Sequence, residues 1–495
     1  MATEAVRPAG LKLQLEQTTN ETIVHCTGKI IVENSEMFQK EIRDLIPDGD
    51  SQIAGTTTRV VLDLSNVTHV DSTGLGALLA AWAAARRKGC DLEIANLNPR
   101  VEKLVEITNL HTVFNRAKLA AASAPATPRP AAGTETTALD PEETFQQAID
   151  SGMVVYRADP LNCETPIPAL IGGVVIPNLR FYVRNHFRIP KLEASTWRLN
   201  VGGLVERPLS LSLRDLVKMP SQTQFVTLEC AGNGRSILDP RVNGEQWNYG
   251  AVSTAEWTGV PLAEVLHRAG VKPAAREVVF RGADTGKLDA SSELISFERS
   301  LTIDDAHGTE PLLAYAMNGD ALPILHGYPL RLIVPGWYAM ASVKWLTQID
   351  VIGDLFTGHY QTGTYFYEWQ RAGQLIREPV SLQRVRSLIT EPELDSEVEQ
   401  GDLPIRGVAW SGAAPIARVE VSIDGGRWQE ARLLGERKRH SWQGWELIAR
   451  LERPGPILIA ARATDMASRT QPEVPEWNRL GYGSNAIQKV RVDVR

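Results

Sequence analysis

The stretch from residue 117 to residue 141, AKLAAASAPATPRPAAGTETTALDP, constrains this chain more than any other. Ala, Pro, Thr and Ser replace all apolar periodicity there, and a segment with no apolar face cannot join a core. The chain is therefore expected to fold as separate units on either side. A flexible coil of roughly 25 residues holds its ends about 25–30 Å apart, which leaves the flanking units free to move independently. The length agrees, since 495 residues exceed what one hydrophobic core accommodates. A weaker boundary falls near residues 372 to 382, AGQLIREPVSL, where the pattern changes again.

These breaks predict an α/β unit over residues 1–116, a linker over 117–141, a mixed α+β unit over 142–375 and an all-β unit over 376–495. In the first unit ETIVHCTG and RVVLDL read as buried strands. STGLGALLAAWAAARRKG reads as a helix whose apolar face carries Leu75, Leu78, Leu79 and Trp82. Asn98 and Pro99 then supply an N-cap and a first helical position. The middle unit mixes short strands (WRLNVGGLV, QFVTLEC, EVVFRGAD, LRLIVP) with short helices such as LSLRDLVKM and PLAEVLHRAG. Beyond residue 383, LPIRGVAW, IARVEVSIDGG, WELIARL and GPILIAARATD are turn-punctuated strands, the pattern of a β-sandwich.

A net charge of −7 offers no general attraction to nucleic acid or to a membrane surface. No stretch gives 18 uninterrupted apolar residues, and MATEAVRPAGLKLQLEQ shows neither an apolar leader nor a twin-arginine signal, so a cytoplasmic protein is expected. Four cysteines, Cys26, Cys90, Cys163 and Cys230, stand far apart with no CxxC or CxxCH spacing. Disulfide frameworks, zinc sites and covalent haem are therefore unsupported.

Cys230 nevertheless stands apart. It ends the apolar run FVTLE where the chain breaks into Gly, Asn and Arg, a place where a sulfur is exposed at a loop and backbone can approach a ligand. A lone cysteine is also a good small hydrophobe. A single thiolate cannot hold a soft metal unaided, so a metal here needs most of its ligands from elsewhere, as when an organic cofactor brings its own sulfurs.

Five ordered blocks, FYVRNHFRIP (181–190), LECAGNGRS (228–236), WNYGAVSTAEW (247–257), HGYPLRLIVPGWYAMASVKWL (326–346) and HYQTGTYF (359–366), resemble the sulfite oxidase family of molybdopterin enzymes. The resemblance runs from about residue 145 to the C-terminus and implies a molybdopterin-binding α+β domain followed by an Ig-like β-sandwich that dimerises the protein. It implies that Cys230 is the protein's ligand to molybdenum in a molybdenum–molybdopterin cofactor. Arg184, Arg235, Trp247 and Tyr365 match the family's substrate pocket, and His186, Asp284, His326, Arg331 and Lys344 its pterin and phosphate contacts. The expected substrate is a small oxyanion, sulfite first. The alternatives are an S-oxide or N-oxide reductase on the same site, or a catalytically impaired scaffold. No cytochrome b5-like HPGG or CxxCH segment occurs, so no haem is expected and electrons pass to or from a separate partner.

The chain departs from the family pattern in three places. Gly234-Arg235 stands where the sulfite enzymes carry Arg-Arg, WNRLG (477–481) stands where they carry WNLRG, and Thr364 replaces an aspartate. Leu480 thus takes the place of a pocket guanidinium, unless Arg479 swings in to restore it.

The first unit has its own motif, HVDSTGLGALL (69–79), in which Ser72 reads as a helix N-cap or as a modified residue. Residues 12–114 resemble the STAS domain of anti-sigma factor antagonists, and this resemblance implies that Ser72 is phosphorylated by an anti-sigma factor kinase. Phosphate there would meet the helix N-terminus but also Asp71, within a surface that a partner must bury.

Overall fold

The computed structural model describes residues 11–17, 21–30, 59–70, 91–95, 115–116, 141–170, 175–308, 310–371 and 373–495, together with helical or isolated positions 37–38, 40–42, 45, 74, 77–78, 81, 85, 97 and 101. The chain divides into two compact units, Met1–Ala132 and Gly133–Arg495.

The first unit is built on one sheet, in chain order Lys12–Gln17, Glu21–Ile30, Arg59–Val70, Asp91–Ala95 and Asn115–Arg116. The first pair is antiparallel and the remaining pairs are parallel. Val60, Val61, Leu62 and Leu64 are all fully buried, as a central parallel strand covered on both faces requires. Ala77, Leu78, Ala81 and Ala85, at helical spacing, pack into the same core as this sheet. Leu75, Leu79, Trp82, Asn98 and Pro99 lie outside the described residues, as does Ser72.

The second unit is sheet-rich, with four α-helices among its described residues, none longer than ten residues. The expected helix LSLRDLVKM is a single short turn, Leu213–Val217, closed at its start by a Ser212–Asp215 capping box. In PLAEVLHRAG, Leu262, Val265, Leu266 and Ala269 are fully buried, and Gly270 at φ +72° ends the helix.

Two five-stranded sheets form the body. One runs Gln222–Glu229, Val252–Pro261, Leu312–Met317 and Asp320–Ala321, with Arg331–Ile333 also pairing to Leu312–Met317. The other runs Ile295–Thr302, Glu277–Gly286, Leu346–Ile352, Leu199–Gly203 and Leu209–Leu211. Each has its own hydrophobic core. The hairpin Phe366–Arg371 and Gln374–Pro379 follows.

From Arg386 onward the chain is all β, with eight strands in one hydrogen-bonded path. Its last strand, Gln488–Val494, buries alternate residues Gln488, Val490, Val492 and Val494, the period-two signature of a strand with one face on a core. Leu388, Val408 and Trp410 of this region complete the core under the Gln222–Glu229 sheet. No helix among the described residues is long and apolar enough to cross a membrane.

Candidate active site around Cys230

The antiparallel ladder between Gln222–Glu229 and Val252–Pro261 delivers Cys230 to its place. Cys230 N donates to the Ala251 carbonyl at 2.9 Å, and Asn233 N turns back to the Cys230 carbonyl at 2.9 Å. Cys230 is 8% exposed. Its sulfur is thus not open at a loop, as the break in sequence suggests; the CAGNGR turn folds under neighbouring segments and leaves it on the wall of a cleft.

That cleft lies where the two sheet cores meet, since its lining draws on both. Eight of the ten residues singled out in this unit line it: Arg184, His186, Cys230, Asp284, His326, Arg331, Lys344 and Tyr365. They come from widely separated segments that only the fold brings together. Arg235 and Trp247 stand behind the wall. Arg235 donates to the carbonyls of Glu245 (2.9 Å) and Leu480 (3.2 Å), and Trp247 is fully buried with its ring edge-on to Tyr156 at 4.9 Å.

Two residues that the sequence does not flag hold the cleft in shape. Glu229, next to Cys230, is buried and binds Arg386 Nη1 (2.9 Å), Trp410 Nε1 (2.9 Å) and Asn233 Nδ2 (3.0 Å). Burial raises its carboxyl pKa while Arg386 opposes the rise. Asn185 accepts from Lys344 Nζ and donates to the Leu161 carbonyl at 2.8 Å, while its own N–H binds Asn162 Oδ1 at 2.6 Å. Only its place inside VRNH pointed to it.

Electrostatics define what the cleft accepts. Burial pushes the Cys230 thiol pKa up, with Arg184 and Arg235 pulling against it. Burial holds His326 down to about 3 and His186 well below its usual range, so both imidazoles are neutral near pH 7. Tyr365 Oη lies 2.8 Å from His186 Nε2, and burial raises its pKa. Tyr365 sits at φ +57°, a left-handed conformation that costs a non-glycine residue about 1–3 kcal/mol and persists only where the surroundings enforce it.

The three lining cations bond to neutral oxygens: Arg184 to the Asn185 carbonyl, Arg331 to the His326 carbonyl (3.2 Å), Lys344 to Asn185 Oδ1 and the Leu325 carbonyl (3.1 Å). Arg331 Nε is buried without a partner. Asp284 is the one carboxylate on the lining, and burial raises its pKa to about 7. Three cations facing one carboxyl, with Arg331 itself buried, leave a positive excess that an anionic ligand would offset. Among the described residues no three His, Cys, Asp or Glu side chains cluster as a metal cage, so a metal at Cys230 takes further ligands from a cofactor. These residues fit a phosphate-bearing cofactor that carries its own sulfurs.

The departures from the family pattern have positions too. Gly234 is at φ +78°, and a Cβ there would lie 2.7 Å from Arg386 Nη2. Arg479 points outward, its guanidinium paired with Glu368 at 2.8 and 3.1 Å. Thr364 Oγ1 bonds to Tyr482 Oη at 2.8 Å.

Comparison with known proteins agrees with this geometry. Residues 186–360 match the oxidoreductase molybdopterin binding domain, residues 378–495 the Mo-co oxidoreductase dimerisation domain, and residues 12–124 the STAS domain. Mitochondrial sulfite oxidase from Mus musculus is 38% identical over 390 residues, covering 72% of this chain and 70% of that protein; the Rattus norvegicus protein is also 38% identical, and the chain covers 64% of its length. Nitrate reductase [NAD(P)H] from Hordeum vulgare is 34% identical, covering 68% of this chain and 41% of that one. The crystal structure of the sulfane dehydrogenase SoxCD from Paracoccus pantotrophus is similar at 31% identity and a TM-score of 0.59, over 66% of this chain and 83% of that chain. Fold and site together define a molybdopterin-binding oxidoreductase. The chain belongs to the sulfite oxidase family, with a STAS domain at its amino-terminal end.

Proposed function

We propose that this protein oxidises a small sulfur oxyanion, sulfite first, at a molybdenum held by Cys230. The observation that carries this reading is the Cys230 thiol on the wall of a cleft where Arg184, Arg331 and Lys344 hydrogen-bond to neutral oxygens and face a single lining carboxyl, Asp284. When bound, the molybdenum–molybdopterin cofactor supplies oxygen-atom transfer and two-electron chemistry. In this reading Cys230 Sγ binds the metal. Arg331, Lys344, His326, Asp284 and His186 hold the pterin and its phosphate, Arg331 and Lys344 through charge and the neutral imidazoles through hydrogen bonds. Arg184 receives the anion, and Tyr365, oriented by His186 at 2.8 Å, bonds to its oxygen. Arg235 and Trp247 support the pocket from behind, Arg235 adding positive potential at the thiolate.

A second reading has one observation in its favour. Glu368 holds Arg479 on the surface, and the Leu480 carbonyl takes an Arg235 N–H, so the pocket lacks a guanidinium that a dianionic product would use. The same site then suits a less charged substrate, as in a reductase of S-oxides or N-oxides. One experiment decides between the readings. Metal and pterin analysis is combined with turnover of sulfite and of neutral sulfoxides in wild type, Cys230→Ser and Arg184→Gln. Sulfite turnover lost in Cys230→Ser and weakened by Arg184→Gln supports the first reading; brisk sulfoxide turnover indifferent to Arg184 supports the second. Wild-type activity in Cys230→Ser removes the metal-ligand role.

The carboxy-terminal domain serves as an Ig-like dimerisation domain in this reading, making the protein a homodimer that exchanges electrons with a separate partner. The STAS domain binds a protein partner under control of Ser72, supported by the DSTGLG motif and the domain match. Ser72→Asp, which places charge where the interface must dehydrate, should weaken binding to an anti-sigma factor kinase at least about tenfold. Equal affinity of wild type, Ser72→Ala and Ser72→Asp leaves Ser72 as a helix cap.

A further inference from the structure

Tyr482 lies in the segment that matches the dimerisation domain, yet its ring stacks on Tyr365, with centroids 4.9 Å apart and planes at 23°. Its hydroxyl bonds to Thr364 Oγ1 at 2.8 Å. One side chain thus holds both the ring of Tyr365 and the residue before it. Tyr482 is itself held by Asn478, whose Oδ1 accepts from Tyr482 N at 2.9 Å and whose Nδ2 donates to the Tyr482 carbonyl at 2.7 Å.

Each stacked ring also carries a guanidinium. Arg235 Cζ is 5.4 Å from the Tyr482 centroid, and Arg299 Cζ is 6.0 Å from the Tyr365 centroid. Arg299 is 1% exposed and donates to the Tyr360 carbonyl, while its Nε and Nη2 have no partner. Tyr360 belongs to the wide turn His359–Gly363, which leads into Tyr365. A buried arginine without an acid gains most from the nearest π-face and carbonyl, so Arg299 restrains this turn from beneath.

We propose that Tyr482 is a positioning residue for Tyr365, holding it in its left-handed conformation with Arg299 as counterpart, so that the dimerisation domain supplies part of the pocket's support. The proposal rests on the reading that Tyr365 faces the substrate. A tyrosine at φ +57° relaxes unless packing fixes it, and a displaced hydroxyl loses both His186 and the substrate oxygen.

The test uses the full-chain holoenzyme with sulfite as substrate and a double-mutant cycle. Tyr482→Leu removes ring and hydroxyl, and Tyr482→Phe removes the hydroxyl alone. Tyr482→Leu is expected to lower kcat/KM about tenfold, with Tyr365→Phe/Tyr482→Leu within about twofold of Tyr365→Phe alone, because the second loss acts through the first. Amide hydrogen exchange over residues 359–366 is expected to quicken about tenfold in Tyr482→Leu, with the Glu277–Gly286 strand unchanged. Losses that multiply in the double variant, or unchanged exchange over 359–366, overturn the proposal. Should Tyr482→Leu fail to fold, Tyr482→Phe carries the same two measurements through the Thr364 bond, with smaller changes in the same directions. If Tyr365→Phe itself keeps full turnover, the reading of Tyr365 fails, and the exchange result alone decides whether Tyr482 holds the segment.

Discussion

Gly234 sits in the turn after Cys230, against Arg386 and Ser484, and is not among the residues that line the cleft. At φ +78°, with Arg386 Nη2 2.7 Å from where a Cβ would stand, the position excludes any side chain unless the buried arginine moves. The first arginine of the family's Arg-Arg pair therefore cannot be grafted here by one substitution without strain. Gly234→Ala should destabilise the protein by about 1–3 kcal/mol through backbone strain and crowding, measured by denaturant unfolding. A variant as stable as wild type would show that the turn relaxes freely. The neighbouring departure is different in kind. Leu480 packs against the main core while Arg479 is exposed beside Glu368. Polarity settles which one faces water.

At the scale of elements, the Gln222–Glu229 strand is fixed at its functional end by one buried ion pair. Glu229 and Arg386 are 2% and 1% exposed in their side chains and 2.9 Å apart, and they join this strand to Arg386–Glu391 of the carboxy-terminal region. Removing one partner leaves an uncompensated charge in the interior. Arg386→Met should therefore cost about 3–5 kcal/mol, and adding Glu229→Gln to it should recover part of that loss. Additive losses in the double variant would show that the pair is not coupled. Because Cys230 follows Glu229 directly, the single variant should also lower the molybdenum content of the purified protein.

For the whole molecule, pH dependence collects opposing contributions. Glu164 is buried, accepting from Tyr156 Oη and Asn248 N, and burial raises its pKa to about 7; Asp284 is also raised to about 7. Against unfolded values of about 4, the folded state binds more protons between pH 4 and 7, so these carboxyls add stability as pH falls through 7. His326, held at about 3, and His186 act the other way, because below about 6.5 the unfolded chain takes up protons that the folded chain refuses. The two effects offset near pH 5–6.5. Glu164→Gln removes one compensating group, so its unfolding free energy should fall more steeply than wild type on acidification, by up to about 1.4 kcal/mol per pH unit. Chemical denaturation at pH 5.0, 5.75 and 6.5 checks this; parallel slopes would mean that Glu164 titrates normally in the fold.

The sequence by itself determined the strand runs and the chemistry within reach. Runs of β-branched residues fix the strands, and local blocks such as VRNH and CAGNGR carry their residues in order. Eight of the ten site residues named in the second unit, seven of them from the five blocks and Asp284 from outside them, do meet on one cleft. What only the tertiary structure decided is how that cleft is held and which way its charges face. Glu229, Arg299, Arg386 and Tyr482 are placed by partners far along the chain: Glu229 and Arg386 by each other, 157 residues apart, Arg299 by Tyr360, 61 away, and Tyr482 by Thr364, 118 away. Arg479 and Leu480 are adjacent in sequence, and only packing could send one to solvent and the other to the core. Periodicity and motif are local properties that a strand or turn expresses wherever it sits. An unpaired buried cation, or a tyrosine braced at positive φ, exists only once distant segments have excluded water together.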